Sequence, residues 1–209
     1  MLDDARQPPL LRPIAGIRHQ NLAKDLIMAK RSKLKMKLLR IALQINSVVI
    51  PLFSPGLSTR FIIRIYRKMG MRFEGRPNYI SSRVNFDGTD YSLISIGEGV
   101  TISSYVRVLT HDWSLYTIAK AHGHFSDRPI GKIKAVSIGA YSFIGTGSII
   151  MPGTTIGRGC LIGAGTVVRG NVPDHSIIIG SPGVIIGNTE EFVGRQLAKL
   201  ADDANEKAV

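Results

Sequence analysis

Cysteine is nearly absent from this chain. Cys160 stands alone among 209 residues, so no disulfide within the chain can staple the fold. A reducing, cytoplasmic setting is the default expectation for such a sequence. Long apolar runs are also missing: the longest, 41–57, is interrupted by Gln44, Asn46, Pro51 and Pro55, too broken for an ordinary membrane span. The chain opens with Met1, Leu2, Asp3 and Asp4, the wrong charge for a secretory leader. There is no phosphate-cradling Walker loop, no dinucleotide fingerprint and no nucleophile elbow. The Gly-x-Gly at 145–147 has no helical pattern after it and carries no such meaning. Acidic residues are scarce in the front third. Residues 1–78 hold sixteen Lys/Arg against Asp3, Asp4, Asp25 and Glu74, whereas residues 79–209 balance eleven against eleven. The net charge of +12 therefore belongs wholly to the front, and the change marks a boundary near Arg76-Pro77.

What the chain does have is a period of six. From Ile138 it reads Ile-Gly-Ala-Tyr-Ser-Phe, then units begin at Ile144, Ile150, Ile156, Ile162 and Val168. The second place is most often glycine. The fifth place is small or β-branched: Ser142, Ser148, Thr154, Cys160, Thr166 and Val172. Strands alternate at two and helices at 3.6, so neither accounts for this phase. A six-residue repeat signals a parallel β-helix, each unit one side of a triangular coil, and three sides stack Ile138 on Ile156 and Ile144 on Ile162. First-place aliphatics then fill the prism, and glycine permits the tight corners. Cys160 at a fifth place reads as a small core filler. The same phase appears earlier at Ile96, Ile102 and Val108.

Around this domain the chain divides into a tail at 1–20, a basic helical region at 21–76, the β-helix at 77–187 and a closing helix at 188–209. Asn21 is a plausible helix cap, and Leu34, Leu38, Ile41 and Ile45 form a stripe with Lys33, Lys35, Lys37 and Arg40 mostly away from it. Such a helix either lies on an anionic membrane surface or packs on the prism with its charges in water. Ser54-Pro55 starts a second helix and Gly70 ends it. Between Val108 and Ile138 the pattern lapses, and 114–134 reads as a loop thrown out from one corner. After Pro173 the repeat fails. Phe192, Val193, Leu197 and Leu200 form the expected buried side of the last helix, covering the open end of the prism.

Of five histidines, only His111 lies where a rigid coil hands over to the long loop, and imidazole is the usual general base near neutral pH. Asp112, next along a strand, points to the opposite face. Trp113 can stack on a sugar ring or simply pack. His122 and His124 have chelating spacing, in a loop where solvated histidines are commoner.

Pro152-Gly153, the units at 156–168, Val172-Pro173, Gly180-Ser181-Pro182-Gly183 and Thr110-His111-Asp112 together resemble the hexapeptide-repeat acyltransferases, and among them the sugar and exopolysaccharide O-acetyltransferases. The resemblance covers Tyr79 to Gly187. It implies a mainly β fold, a left-handed parallel β-helix with an N-terminal helical region and a C-terminal capping helix. It also implies acetyl-CoA as donor, a sugar or glycan acceptor, no metal, and a homotrimer with sites between adjacent prisms. Residue by residue, it implies His111 as base, Thr146 as an oxyanion N–H, and Ala164, Phe143 and Arg169 along the coenzyme. Asn85, Asp87 and Trp113 fall toward the acceptor. Arg169-Gly170 departs from the Thr-Lys that relatives often carry. N-acetylation of an amino-sugar nucleotide remains open at this point. So do a γ-carbonic-anhydrase-like metal enzyme, which needs three convergent histidines, and a scaffold bound to membrane by its basic helices. No motif for reading nucleic acid is present.

Overall fold

The structure, a computed structural model, describes residues 22–48, 54–88 and 90–206. The tail at 1–20 and the proposed cap Asn21 lie outside them. The chain divides into two compact units, 1–37 and 38–209.

The second unit is a triangular prism of short parallel strands. Its first face stacks Arg72–Glu74, Ile94–Gly97, Val136–Ile138, Thr155–Ile156 and Asn171–Val172. The second stacks Tyr79–Ile80, Thr101–Ile102, Phe143–Ile144, Leu161–Ile162 and Ser176–Ile179. The third stacks Asn85–Phe86, Arg107–Val108, Ile149–Ile150 and Val167–Val168. Register puts Ile102, Ile144, Ile162 and Ile178 in one ladder and Phe86, Val108, Ile150 and Val168 in another. All of these side chains are buried. Each face alone has too little apolar surface to persist, so every coil depends on the coil above and below it.

Fifth-place hydroxyls tie successive coils together. Ser142 Oγ donates to Gly157 O at 2.8 Å, and Ser148 Oγ donates to Gly163 O at 2.8 Å. Cys160 fills the same place, buried and with its thiol pushed up by desolvation. The glycines divide into two kinds. Those at the fourth place, Gly147, Gly153, Gly159 and Gly165, have positive φ and turn the corners. Those at the second place do not. Gly139 is needed because an added Cβ would sit 2.4 Å from the carbonyl of Gly157 on the next coil. Cornering therefore explains only half of the glycine pattern.

Four expectations need correction. Val172 is not a fifth-place residue: it registers with Ile156, so the corner at Arg169-Gly170 is shorter than the others and the phase slips there. Stacking also continues beyond Pro173, through Ser176–Ile179 on Leu161–Ile162, before Val184–Asn188 returns antiparallel along that edge. The segment 114–134 is not all loop. It carries the helix Ser114–Ala121 and the strand Lys132–Ile133, although Leu115 and Ile118 on the helix stay exposed. Eight residues make little more than two turns, too short a run to set a helical period in the sequence.

The fourth correction concerns the ends. The helix α1, Leu22–Val48, is followed by α2, Pro55–Lys68, whose cap Ser54 accepts from Leu57 N and whose chain leaves through Gly70 at φ 104°. Ile62, Ile65 and Tyr66 of α2 and its C-cap Met69 are buried on the first coil, with Tyr66 edge-on to Phe86 at 4.9 Å. Thr59 Oγ1 exchanges hydrogen bonds with the backbone of Ile80. The helix Ser114–Ala121 is α3, and the last helix, α4, spans Thr189–Glu206. Its Val193, Leu197 and Leu200 are about half exposed or more, at 49%, 60% and 62%. The closing helix exists, but its apolar side is not buried in this chain.

Candidate active site

His111 lies at the corner between the third and first faces. The step from one face to the next, six residues in the regular coils, here takes thirty, from Val108 to Ile138. His111 and Asp112 begin the excursion and pair antiparallel with Ile133 and Lys132 at its return. Lys134 N–H then donates to Thr110 O at 2.9 Å, closing the neck. The imidazole is thus anchored on one side by the coil and on the other by a two-stranded ribbon, and is 30% exposed.

Its charge partner is Asp87, just past the third-face strand Asn85–Phe86 one coil below. Asp87 Oδ2 accepts from Thr110 N at 2.9 Å, Thr110 Oγ1 at 3.3 Å and His111 N at 3.3 Å. The same oxygen lies 2.5 Å from His111 Nδ1. Asp87, expected near the acceptor, is occupied with the histidine and its backbone. Asp112 is turned away. Its Oδ1 accepts from Ser114 N at 2.9 Å, and this bond, with weaker help from Lys132 and Arg169, holds the carboxyl below the usual range.

Trp113 lies beside the imidazole, ring centroids 5.6 Å apart at 41°. Gly131, which sequence reasoning passed over, makes room for it: a Cβ there would fall 2.3 Å from the indole. Asn85 projects outward from the third face, in register with Arg107 and Ile149. The coenzyme residues fall elsewhere. Thr146 and Ala164 are exposed at the corner between the second and third faces, stacked one coil apart, with Gly165 N donating to Thr146 O at 2.8 Å. The amides of Gly145 and Gly147 are taken by Ile162 O and Ser104 O, whereas the Thr146 N–H has no protein acceptor among the described residues. Nothing stands within 4 Å of where a Cβ would be on Gly147 or Gly165, which leaves an open track along that corner. Phe143 is 44% exposed on the second face. Arg169 is on the His111 corner, close enough to act on Asp112.

His111 and Thr146 therefore occupy opposite corners of one face. Within a single prism they cannot meet. Tyr105, below Gly147, takes the corner conformation at φ 62° that the coils above give to glycine. A bulky residue held there costs roughly 1–3 kcal/mol. His122 and His124 are exposed, and among the described residues no three His, Cys, Asp or Glu converge as metal ligands.

The bacterial transferase hexapeptide family (six repeats) matches residues 135–170. Protein CapG of Staphylococcus aureus is 37% identical over 126 residues, 60% of this chain and 70% of that protein. A probable acetyltransferase, Rv3034c of Mycobacterium tuberculosis (strain ATCC 25618 / H37Rv), is 34% identical over 130 residues, 61% of this chain but 39% of that one. Among solved structures, a galactoside acetyltransferase in complex with coenzyme A superposes with TM-score 0.51 at 19% identity, covering 74% of this chain and 80% of the other. At that identity the likeness is one of fold.

Proposed function

Given that this chain belongs to the hexapeptide-repeat acyltransferases, with their left-handed parallel β-helix, we propose that it transfers acetyl from acetyl-CoA to a hydroxyl of a sugar or glycan precursor. The single observation that carries this reading is the pairing of His111 with Asp87 at the neck of the excursion. The relatives named acetyltransferases, and the galactoside enzyme bound to coenzyme A, support the donor and the sugar class.

Acetyl-CoA supplies an activated thioester carbonyl. The chain's own residues then do four things. His111 Nε2 takes the proton of the acceptor hydroxyl as its oxygen bonds to the acetyl carbon and the C–S bond breaks; the proton is then returned to the departing sulfur. Asp87 favours the positive imidazole meanwhile. The free Thr146 N–H donates to the carbonyl oxygen as it gains negative charge. The open corner at Gly147, Ala164 and Gly165 accommodates the pantetheine chain, and Arg169 lies where it can meet a phosphate.

Because His111 and Thr146 stand on opposite corners, the site is completed by a neighbouring copy: one prism gives His111, Trp113 and Arg169, the next gives Thr146 and Ala164. In this reading the assembly is a homotrimer with three such clefts. The exposed Val193, Leu197 and Leu200 of α4 give the copies an apolar surface to bury. Leu197→Glu with Leu200→Glu is expected to shift sedimentation from trimer to monomer and abolish coenzyme A release together. A monomeric double variant that keeps full activity would refute the shared site.

The front end is proposed to rest on an anionic membrane surface. Leu38, Ile41, Ile45 and Val48 make an exposed apolar stripe on α1, and Arg60, Arg64, Arg67 and Lys68 line a groove on α2 without an acidic partner among the described residues. Packing against the prism does not use that stripe. No helix among the described residues is long and apolar enough to cross a bilayer. Flotation with vesicles containing phosphatidylglycerol should recover the protein, and Ile41→Glu with Ile45→Glu should leave it in the aqueous layer. Equal recovery on purely zwitterionic vesicles would count against the charge-directed contact.

A further inference from the structure

Between the corner of Thr146 and the corner of His111, the third face holds a hollow of about 660 Å³. Its polar wall is Arg83, Asn85, Tyr105 and Arg107, and Leu109 marks the end nearest His111. Asp87 directly follows the strand Asn85–Phe86 and Leu109 the strand Arg107–Val108, and their N–H groups still donate to the next coil, to Val108 O and Ile150 O at 2.9 Å, so a two-residue step of about 7 Å leads from the arginine level to the level of Asp87. That is roughly the length of one sugar ring. Neither Arg83 nor Arg107 forms an ion pair among the described residues, and the closest acid along these strands, Asp87, is committed to His111 and Thr110. Arg83 is instead aimed: its Nη1 donates to Tyr105 Oη at 2.9 Å, and its guanidinium lies 5.5 Å from the Tyr105 ring. Tyr105 does this from a backbone conformation that its counterparts one and two coils above reserve for glycine. Two guanidinium groups without carboxylates, one of them positioned by a strained aromatic residue, make a receptor for a planar or tetrahedral oxyanion.

We propose that the acceptor is an anionic sugar, bearing a phosphate or carboxylate about one ring away from the hydroxyl that is acetylated, and that Arg83 and Arg107 grip that charge. The proposal rests on the acetyl-transfer reading for the hydroxyl's fate, but the anion site itself is independent of turnover. Tyr105 is a positioning residue, acting through Arg83.

The test is calorimetric titration of the intact protein, loaded with coenzyme A, by glucose 1-phosphate, glucuronate, glucose and inorganic phosphate. The charged sugars should bind at least about tenfold tighter than glucose, a difference that Arg107→Gln or Arg83→Gln should remove. Arg107→Lys, which keeps the charge and loses the fork, should recover part of it. Coenzyme A affinity should stay within twofold in every variant with a wild-type melting curve. Glucose binding as well as glucose 1-phosphate would overturn the proposal, even if glucose were acetylated. Weakened coenzyme A binding in the arginine variants would overturn it too, by giving the arginines to the donor. Inorganic phosphate binding as tightly as the charged sugars would reduce the hollow to an anion site and remove the sugar. Tight, arginine-dependent binding of the charged sugar with no coenzyme A release would leave the anion site standing and reject the transferase reading.

Discussion

Replacing His111 with alanine is expected to lower turnover about 10²–10⁴-fold, the usual contribution of a positioned general base. The melting midpoint should barely move. The imidazole is partly exposed, and Asp87 keeps all three of its hydrogen bonds, which come from the Thr110 and His111 backbone and the Thr110 hydroxyl and not from the side chain of 111. The measurement is coenzyme A release at saturating acetyl-CoA, with circular dichroism on the same sample. Near-wild-type turnover would reject His111 as base and, with it, the role given to Asp87. A fall confined to KM with kcat unchanged would recast the imidazole as a binding group.

The largest structural effect is expected from a methyl group. Gly139→Ala places a Cβ 2.4 Å from both C and O of Gly157 and 2.7 Å from Arg158 N, all backbone atoms of the next coil. Backbone cannot rotate out of the way, so the coils must separate. Overpacking of this kind costs about 3 kcal/mol, near the upper end of its usual range. For a chain of this size that lowers Tm by about 10 °C. Gly165→Ala is the matched comparison: φ is 68°, but the space beyond is empty. It should cost only the left-handed penalty, about 1–2 kcal/mol. If Gly165→Ala proved the more damaging, contact between coils would not be what selects glycine at the second place.

That contrast shows how far a linear pattern reaches. Both glycines are visible as a period, yet one serves torsion and the other proximity, and only the stacked coil separates them. The phase slip at Arg169-Gly170 is similar. Val172 reads as a late fifth-place residue in the linear tract, but it lies on Ile156 because a corner is two residues short. α3 is only eight residues long, too few for its apolar spacing to stand out from a loop. The last helix was readable as amphipathic, but amphipathicity says only that a face wants cover, not whether the same chain supplies it.

The same holds at the site. His111 stood out by its place at the end of a regular stretch. Its partner did not, since Asp87 is twenty-four residues away and reaches the imidazole only because one full coil returns the chain to the same face. Arg83, Tyr105 and Arg107 were equally scattered until register put them around one hollow.

By itself, the order of residues determined the prism, its aliphatic filling, the two-part charge division and the candidate base. A six-residue period admits few other solutions once apolar side chains must leave water. The tertiary structure alone decided which carboxylate serves the histidine, which corner carries Thr146, and that those two groups face away from each other in one chain. Those are questions of distance across coils, and distance between residues far apart in sequence is fixed by stacking rather than by local preference.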